Sequence, residues 1–466
     1  MSNHPSILII GAGITGLAAA WWLNKMGHNV TVLEADREVG GTIKTMRSGG
    51  WLVELGPNSG LETTPLIRAL ARDVGIEDQI VYGNEAANKR YVLRNGSLYA
   101  LPTTVSTFIK SSLWSFPAKL RLLKEPFLGR APKEETVAEF VKRRLGGEFL
   151  DYAVNPFVAG VFAGDPSRLS VQAAFPKLYA LEKNYGGLVR GMIKGKKERQ
   201  QRKEVSKDRA RLFSFEQGMQ TLPATIHKAL GDRVKTGFLV ESVESSSPGA
   251  SIEKRYRVHG SCAGVHRSFD VSAVICAVPA YAAANLIRAF DPSLADKLNR
   301  VYYPPVAEVF LGFEERRIRR ALDGFGYLVP RKENRSILGT IWSSTLFPNR
   351  APAGHAALTT FVGGSRQPEL VPLPDEDLCK MVRRELEEIM ATGGDPVRVH
   401  VSRWDRAIPQ YEIGHLALMG EIEDFEAKWD GLFLAGNYRG GISLSDCIIN
   451  SKGLAERLAS RLQTGN

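Results

Sequence analysis

The chain has 466 residues, 44% of them hydrophobic and 24% charged, and a formal net charge of +11. That length exceeds what one hydrophobic core usually holds, so two or three domains of ordinary globular composition are expected. Cys262, Cys276, Cys379 and Cys447 follow no ligand spacing, which argues against zinc or any other metal site and against a disulfide framework, in favour of reduced thiols in a cytoplasmic setting.

The longest uncharged run, Ser6 to Leu23, is short for a membrane span, follows no basic residues and shows no small-residue cleavage site, so no targeting segment is expected. It reads instead as the start of a βαβ unit. An apolar strand ends in Gly11, a helical stretch follows, and a second β-rich run closes on Glu34 and Ala35. The turn Gly11-Ala12-Gly13-Ile14-Thr15-Gly16 carries G-x-G-x-x-G. Gly11 permits the tight turn, Gly13 lets a pyrophosphate approach the helix N-terminus, and Gly16 allows helix and sheet to pack closely. Glu34 lies at the offset of an acid that binds a ribose hydroxyl, so the unit points to a dinucleotide. A second pair, Gly40-Gly41, precedes Thr42 and brings backbone close again.

Further on, Val53 to Asn58 forms a turn through Gly56-Pro57-Asn58, and Thr64 to Gly75 reads as a helix. Lys89 to Tyr99 reads as a hairpin with Asn95-Gly96 at its turn. From Leu101 to Arg130, apolar and aromatic residues alternate with Lys110, Lys119, Arg121 and Lys124. This stretch is either packed helices or a basic amphipathic surface at a membrane interface; it is too charged and proline-broken to span. Thr136 to Leu145 is a helix. Residues 190–211 hold ten basic residues against three acidic ones. Lacking interleaved aromatics, they read as a solvated, partly disordered loop and not as a nucleic-acid site. Phe213 to Leu222 opens a helix to Leu230, and Val234–Val243, Tyr256–Val258 and Phe269–Val278 read as strands. Val306 to Gly363 is strand-rich, and Asp375 to Met390 is a helix. The chain closes with Asp430 to Ile442, a strand and glycine-rich turn through Gly436, Asn437 and Gly441, and a helix from about Ser443 to Leu462. That helix N-terminus would present N–H groups to negative charge.

The EADREVGG pattern resembles flavoproteins related to amine oxidases and phytoene desaturases, which favours FAD over NAD; those proteins have a turn related to 53–58 beside the isoalloxazine ring. Nearly the whole chain resembles the oxygen-dependent protoporphyrinogen oxidases. The resemblance is carried by NPFVAGVFAGDPSRLS (155–170), Lys89-Arg90-Tyr91, FEQGMQTL (215–222), GFGYLVP (324–330) and TFVGG (360–364). It implies an α/β plus α+β architecture. A discontinuous Rossmann-type FAD domain would comprise 1–84, 206–287 and 400–466, and a mixed-sheet substrate domain 85–100 and 288–399. An inserted helical, membrane-associating domain would occupy 101–205.

The same resemblance adds Val240, Trp404, Ile442 and Ser443 to the FAD contacts. It implies that Arg90 pairs with a substrate propionate, that Leu328 and Ile341 pack on a pyrrole ring, that Phe361 stacks on another ring, and that Gly164 admits the macrocycle. Without it, Arg90 reads as a surface arginine and Leu328, Ile341 and Phe361 as strand core. The implied reaction is six-electron oxidation of a porphyrinogen through flavin N5, with dioxygen as partner and hydrogen peroxide as product. No side-chain general base is assigned, since none of the eight histidines sits in a motif that demands one. Coproporphyrinogen oxidation, amine or carotenoid oxidation, and a non-catalytic flavin-binding assembly role are the alternatives. Peripheral contact with the inner face of an anionic membrane through 101–130 is expected, and the oligomeric state, a homodimer included, stays open.

Overall fold

The computed structural model describes residues 6–201, 210–246 and 255–464. Ser6–Ile10 is the middle strand of a five-stranded parallel sheet, ordered Val234–Lys235, Asn29–Leu33, Ser6–Ile10, Ala273–Cys276 and Leu432–Leu434. Its apolar runs do not alternate because both faces are covered. Ile7 and Ile9 pack toward the helix Ile14–Lys25, while Leu8 and Ile10 join the core under the helix Ala280–Ile287. Strands from three distant stretches of chain therefore complete one sheet.

Three segments fold differently from the sequence expectation. Val234–Val243 breaks at Gly237 (φ +67°). Val234–Lys235 joins the parallel sheet, and Phe238–Ser245 joins a three-stranded antiparallel sheet with Tyr256–Cys262 and Val265–Val271. Phe269–Val278 divides at buried Ser272, whose N–H bonds the Ser6 carbonyl and so sends Ala273–Cys276 into the parallel sheet. Leu212–Phe215 is a strand paired with Gly60–Leu61 and Ile80–Tyr82, and the helix begins only at Thr221. Burial of Phe213 and Phe215 against those neighbours outweighs local helical preference.

The second large sheet has seven strands, ordered Arg398–Trp404, Val306–Glu314, His355–Gly363, Gly339–Trp342, Gly324–Leu328, Lys89–Arg94 and Ser97–Ala100. Its orientation is mixed: Gly324–Leu328 runs parallel to Lys89–Arg94, and the other pairs are antiparallel. A boundary at 400 would cut the strand Arg398–Trp404, which pairs as far as Trp404 with Val306; the chain leaves this sheet after 404. Side chains alternate between faces along each strand. Tyr91, Val309, Tyr327 and Leu358 therefore pack with Leu378, Val382 and Leu386 of the helix Asp375–Met390. The opposite face carries the candidate site.

Between the hairpin and residue 201 the chain is helical. The helix Val137–Arg144 starts at a reciprocal cap, with the Glu139 N–H donating to Thr136 Oγ1 (3.1 Å) and the Thr136 N–H to Glu139 Oε2 (2.9 Å). The basic stretch beginning at 190 is not a loop at its start: it continues the helix Leu188–Gln201, and residues 202–209 lie outside the described residues. That helix opens on a carboxylate, because Glu125 accepts the Leu188 and Val189 N–H groups at 2.7 and 3.0 Å. Such an anion offsets the positive end of the helix dipole. In the stretch 101–130, Leu113 and Trp114 are buried, with Trp114 stacked on Phe149 at 5.0 Å between centroids. Val105, Ile109, Phe116, Leu123 and Phe127 stand exposed. Among the described residues no helix is long and apolar enough to cross a membrane.

Arg144 ties this region together. Fully buried, it pairs with Glu125 (3.2 Å) and Glu182 (2.7 Å), and Arg143 also reaches Glu182 at 3.0 Å. Removing the cation alone leaves the fully buried Glu125 without a counter-charge in a low-dielectric interior and takes one of two cations from Glu182. Arg144→Met should therefore cost about 3–5 kcal/mol of stability, read from urea unfolding; a loss within experimental error would show that the cluster is not a structural unit.

Candidate active site

The three motif glycines do different work. Gly11 has φ +100°, and a Cβ there would lie 2.6 Å from the Ala277 carbonyl oxygen. A Cβ on Gly16 would overlap the Gly11 carbonyl oxygen, so helix and strand close directly on one another. Gly13 has no atom within 4 Å of its would-be Cβ. It caps the helix Ile14–Lys25 without a side-chain bond, which leaves the first N–H groups facing open space. That bare helix terminus is the cradle an anionic pyrophosphate needs.

The other residues expected at the cofactor border this cradle or extend from it. Glu34 accepts the Ala12 N–H (2.6 Å) and the Asp36 N–H (2.9 Å), which fixes its carboxylate at the end of the second strand beside Ala35. The Gly40 N–H donates to the Ala12 carbonyl (2.9 Å), Gly40 pairs with Gly13, and a Cβ on Gly41 would sit 3.5 Å from the Gly13 Cα. Next in line, the Thr42 carbonyl lies where a Cβ on Gly56 would be. Val240 stands beside a bulge in the strand whose Phe238 N–H donates to the Glu34 carbonyl (2.8 Å).

Distant segments then lock onto this core. Trp404 Nε1 donates to the Leu55 carbonyl at 2.5 Å, holding the turn that runs through Gly56, Pro57 and Asn58. Ser451 Oγ, on the helix Leu444–Thr464, donates to the Thr15 carbonyl at 2.9 Å. Tyr411 clamps the glycine-rich turn before that helix: its OH donates to the Asn437 carbonyl (2.6 Å) and accepts the Gly441 N–H (3.0 Å). Ser443 accepts the Asp446 N–H at 3.2 Å at the helix start, while Ile442 packs against the helical region and Gly436 follows the strand Leu432–Leu434. The N- and C-terminal motifs thus meet in one place.

The register of the seven-stranded sheet gathers the expected substrate residues. Arg90 lies opposite Gly326, Gly326 opposite Ile341, and Ile341 opposite Thr359. Two residues along, Leu328 lies opposite Gly339, Gly339 opposite Phe361, and Phe361 opposite Glu308. Residues in one row, or two apart on a strand, share a face. Arg90, Leu328, Ile341 and Phe361 therefore project from the same side. The helix Asn155–Phe162 crosses it, since a Cβ on Gly160 would meet Leu328 at 2.5 Å and Phe361 packs with Ala159 and Ala163.

Arg90 is exposed, 5.7 Å from the Phe325 ring, and has no carboxylate partner among the described residues. On this part of the chain Lys89 pairs with Asp323, Arg94 with Glu148, Arg331 with Asp165 and Lys332 with Asp151, whereas Arg320 lies against the Tyr91 ring at 4.8 Å with no ion pair among the described residues. Gly164 has a packing reason of its own, for a Cβ there would overlap the amide of buried Gln410.

Sequence reasoning passed over Tyr411, Arg350, Glu54 as a buried acid, and Glu308. Glu308 had a legible signal, an acid in the middle of the apolar strand VAEVFLGFE; Tyr411 and Arg350 had none.

Comparison with known proteins fits this geometry. The model of the flavin containing amine oxidoreductases matches residues 14–458. The chain belongs to that family. Among curated flavin enzymes, the chloroplastic protoporphyrinogen oxidase of Nicotiana tabacum is 35% identical over 95% of this chain and 83% of that protein. The coproporphyrinogen III oxidase of Bacillus subtilis (strain 168) is 30% identical over 96% of each. A crystal structure from Exiguobacterium sp. 255-15 shares the fold, with TM-score 0.81 and 24% identity over 98% of this chain and 99% of that one. As a flavin-containing amine oxidoreductase of the porphyrinogen oxidase branch, this protein is an oxidoreductase whose cofactor is FAD.

The glycine geometry separates flavin binding from folding. Gly13→Ala should leave the thermal unfolding temperature of the flavin-free protein unchanged while lowering the flavin absorbance per chain; Gly16→Ala should lower the flavin-free unfolding temperature itself. Equal effects on both measurements would mean that Gly13 serves packing alone.

Proposed function

We propose that the protein oxidises protoporphyrinogen IX to protoporphyrin IX in six electrons, with dioxygen as acceptor and hydrogen peroxide as product. The reading is carried by one observation: Arg90, Ile341, Leu328 and Phe361 share one face of the seven-stranded sheet. A flexible macrocycle with two propionates calls for apolar walls and a cationic anchor. Leu328, Ile341 and Phe361 supply the walls. Arg90 supplies the anchor, because a guanidinium grips a carboxylate through two parallel bonds.

Bound at the Gly13 cradle, the flavin supplies the hydride acceptor. The chain's task is placement. The Gly56–Asn58 turn, held by Trp404, and the Tyr411-clamped turn at 437–441 would border the ring system, and the sheet face would hold the macrocycle against it. Pairing of Lys89, Arg94, Arg331 and Lys332 withdraws four cations from substrate binding, which favours the dicarboxylate over the four propionates of coproporphyrinogen. Turnover of the purified enzyme on both porphyrinogens decides the substrate; preference for the tetracarboxylate would overturn this choice.

Arg90→Ala should raise KM by about tenfold or more, the loss of one charge-assisted anchor, and leave kcat largely unchanged. A defect confined to kcat would remove Arg90 from the anchoring role.

The parallel sheet with the terminal segments forms the FAD domain, the seven-stranded sheet the substrate domain, and the helices of 101–201 an insertion that rests on a membrane surface. The exposed Val105, Ile109, Phe116, Leu123 and Phe127, close in sequence to Lys110 and Lys124, support that last assignment. The protein should float with anionic liposomes in low salt. Phe116→Ser with Phe127→Ser should abolish flotation while activity on detergent-dispersed substrate persists.

A further inference from the structure

Between the strand Trp51–Glu54 and the seven-stranded sheet lies a cavity of about 10 Å³, lined in part by Glu54, Asn58, Ile341, Ser343, Arg350 and Thr359. That is room for about one water molecule, and the lining offers the polar partners a buried water needs. One wall is Ile341, which belongs to the substrate face. Another is Asn58, which ends the turn held by Trp404. The cavity therefore joins the two halves of the site from behind.

One buried carboxyl, Glu54, lines it, and a second, Glu308, is tied to it through Asn58. Glu54 Oε2 accepts a bond from Thr45 Oγ1 (2.6 Å) and Oε1 accepts the Met219 N–H (3.0 Å). Arg350 Nη2 stops 3.7 Å from Glu54 Oε1 and donates instead to Ser214 Oγ at 2.6 Å. Glu308, 6% exposed and directly opposite Phe361, has no cation partner among the described residues; Asn58 Nδ2 donates to its Oε2 at 3.3 Å. Burial pushes the Glu54 carboxyl up to about 7, against the lowering effects of Thr45, Arg350 and Met219. Burial also holds Glu308 well above the usual carboxylate range, and the nearby Glu54 charge adds to this. Burial thus favours the acid form of both carboxyls, while the contacts with Thr45, Arg350 and Met219 favour negative charge on Glu54.

We propose that Glu54, at this cavity beside Asn58 and Glu308, stores the proton released in each two-electron oxidation at this site. The proposal rests on the porphyrinogen reading above. When a bridging C–H bond breaks, its electron pair and hydrogen leave as hydride to the flavin. In two of the three oxidations a pyrrole N–H then breaks, and in the third the last bridging C–H, so that four C–H and two N–H bonds are lost in all; each time the electron pair enters the new double bond, and the proton converts the Glu54 carboxylate to the acid. Stored proton and hydride together supply the two hydrogens of hydrogen peroxide when dioxygen takes up the electrons. Glu54 does not touch the reacting atoms; it holds a proton at one remove from them.

The test uses the flavin-loaded enzyme and two readouts. By infrared spectroscopy of the resting protein, a carboxylic-acid carbonyl band should titrate away near pH 7 and be missing in Glu54→Gln. In anaerobic mixing with protoporphyrinogen, the rate of flavin bleaching should rise with pH through about 7, as Glu54 ionises. In Glu54→Gln the profile should be flat and the rate about tenfold or more lower. Glu54→Asp keeps an ionisable group and should keep a pH-dependent rise. Glu308→Gln, neutral like the residue it replaces, should keep both the band and the profile. Wild-type rate and profile in Glu54→Gln, or a flat profile in Glu54→Asp, would overturn the proposal alone. Loss of band and profile in Glu308→Gln with retention in Glu54→Gln would overturn the assignment to Glu54. A wild-type flavin that protoporphyrinogen leaves oxidised would overturn the functional reading, and the store with it.

Discussion

Backbone must meet backbone in this fold with nothing between, and the remaining structure serves that demand. Gly13 approaches Gly40 and Gly41, the Thr42 carbonyl fills the space beside Gly56, and Gly16 closes on Gly11. A methyl group on Gly56 or on Gly16 would wedge its contact open. Side chains therefore cannot define the floor of the cofactor site; it is a surface of amides and α-carbons, suited to a ligand whose recognisable features are phosphates and a flat ring. Shape and dipoles do there what charged side chains do elsewhere.

A floor made of backbone needs clamps from outside, and these come from far along the chain. Trp404 holds Leu55 across 349 positions, Ser451 holds Thr15 across 436, and Tyr411 fixes the turn at 437–441 from both sides. The interactions are hydrogen bonds from side chains to main-chain carbonyls or amides, each contributing modestly. Their effect lies in topology: a site assembled from sequence-distant pieces forms late and as one unit, because no piece is complete without the others.

The first forty residues and the C-terminal turn were readable in advance because glycine spacing and strand periodicity are local signals. Arg90, Leu328, Ile341 and Phe361 were named only by resemblance, since nothing in a single strand tells which neighbour it will pair with; their common face is a property of register. The misread segments have the same cause. Val234–Val243 and Phe269–Val278 look continuous, yet Gly237 and Ser272 pass the chain from one sheet to another, a tertiary event with little local trace. Glu54 and Glu308 were visible as acids in apolar strands, but only the fold reveals that both are buried near Asn58. Arg350 gave no warning at all.

The strict alternation of the seven-stranded sheet has an evolutionary corollary. Tyr91, Tyr327, Thr340 and Thr360 look toward the helix Asp375–Met390, whereas Arg90, Leu328, Ile341 and Phe361, one step away on the same strands, look to the opposite face, where we propose the substrate binds. Stability and selectivity are thus written on interleaved positions. A lineage can exchange one set, and with it the pattern of acids or apolar groups it greets, while the other keeps the sheet intact. Relatives that differ in the number of carboxylates on their macrocycle are what such a two-track sheet would be expected to yield.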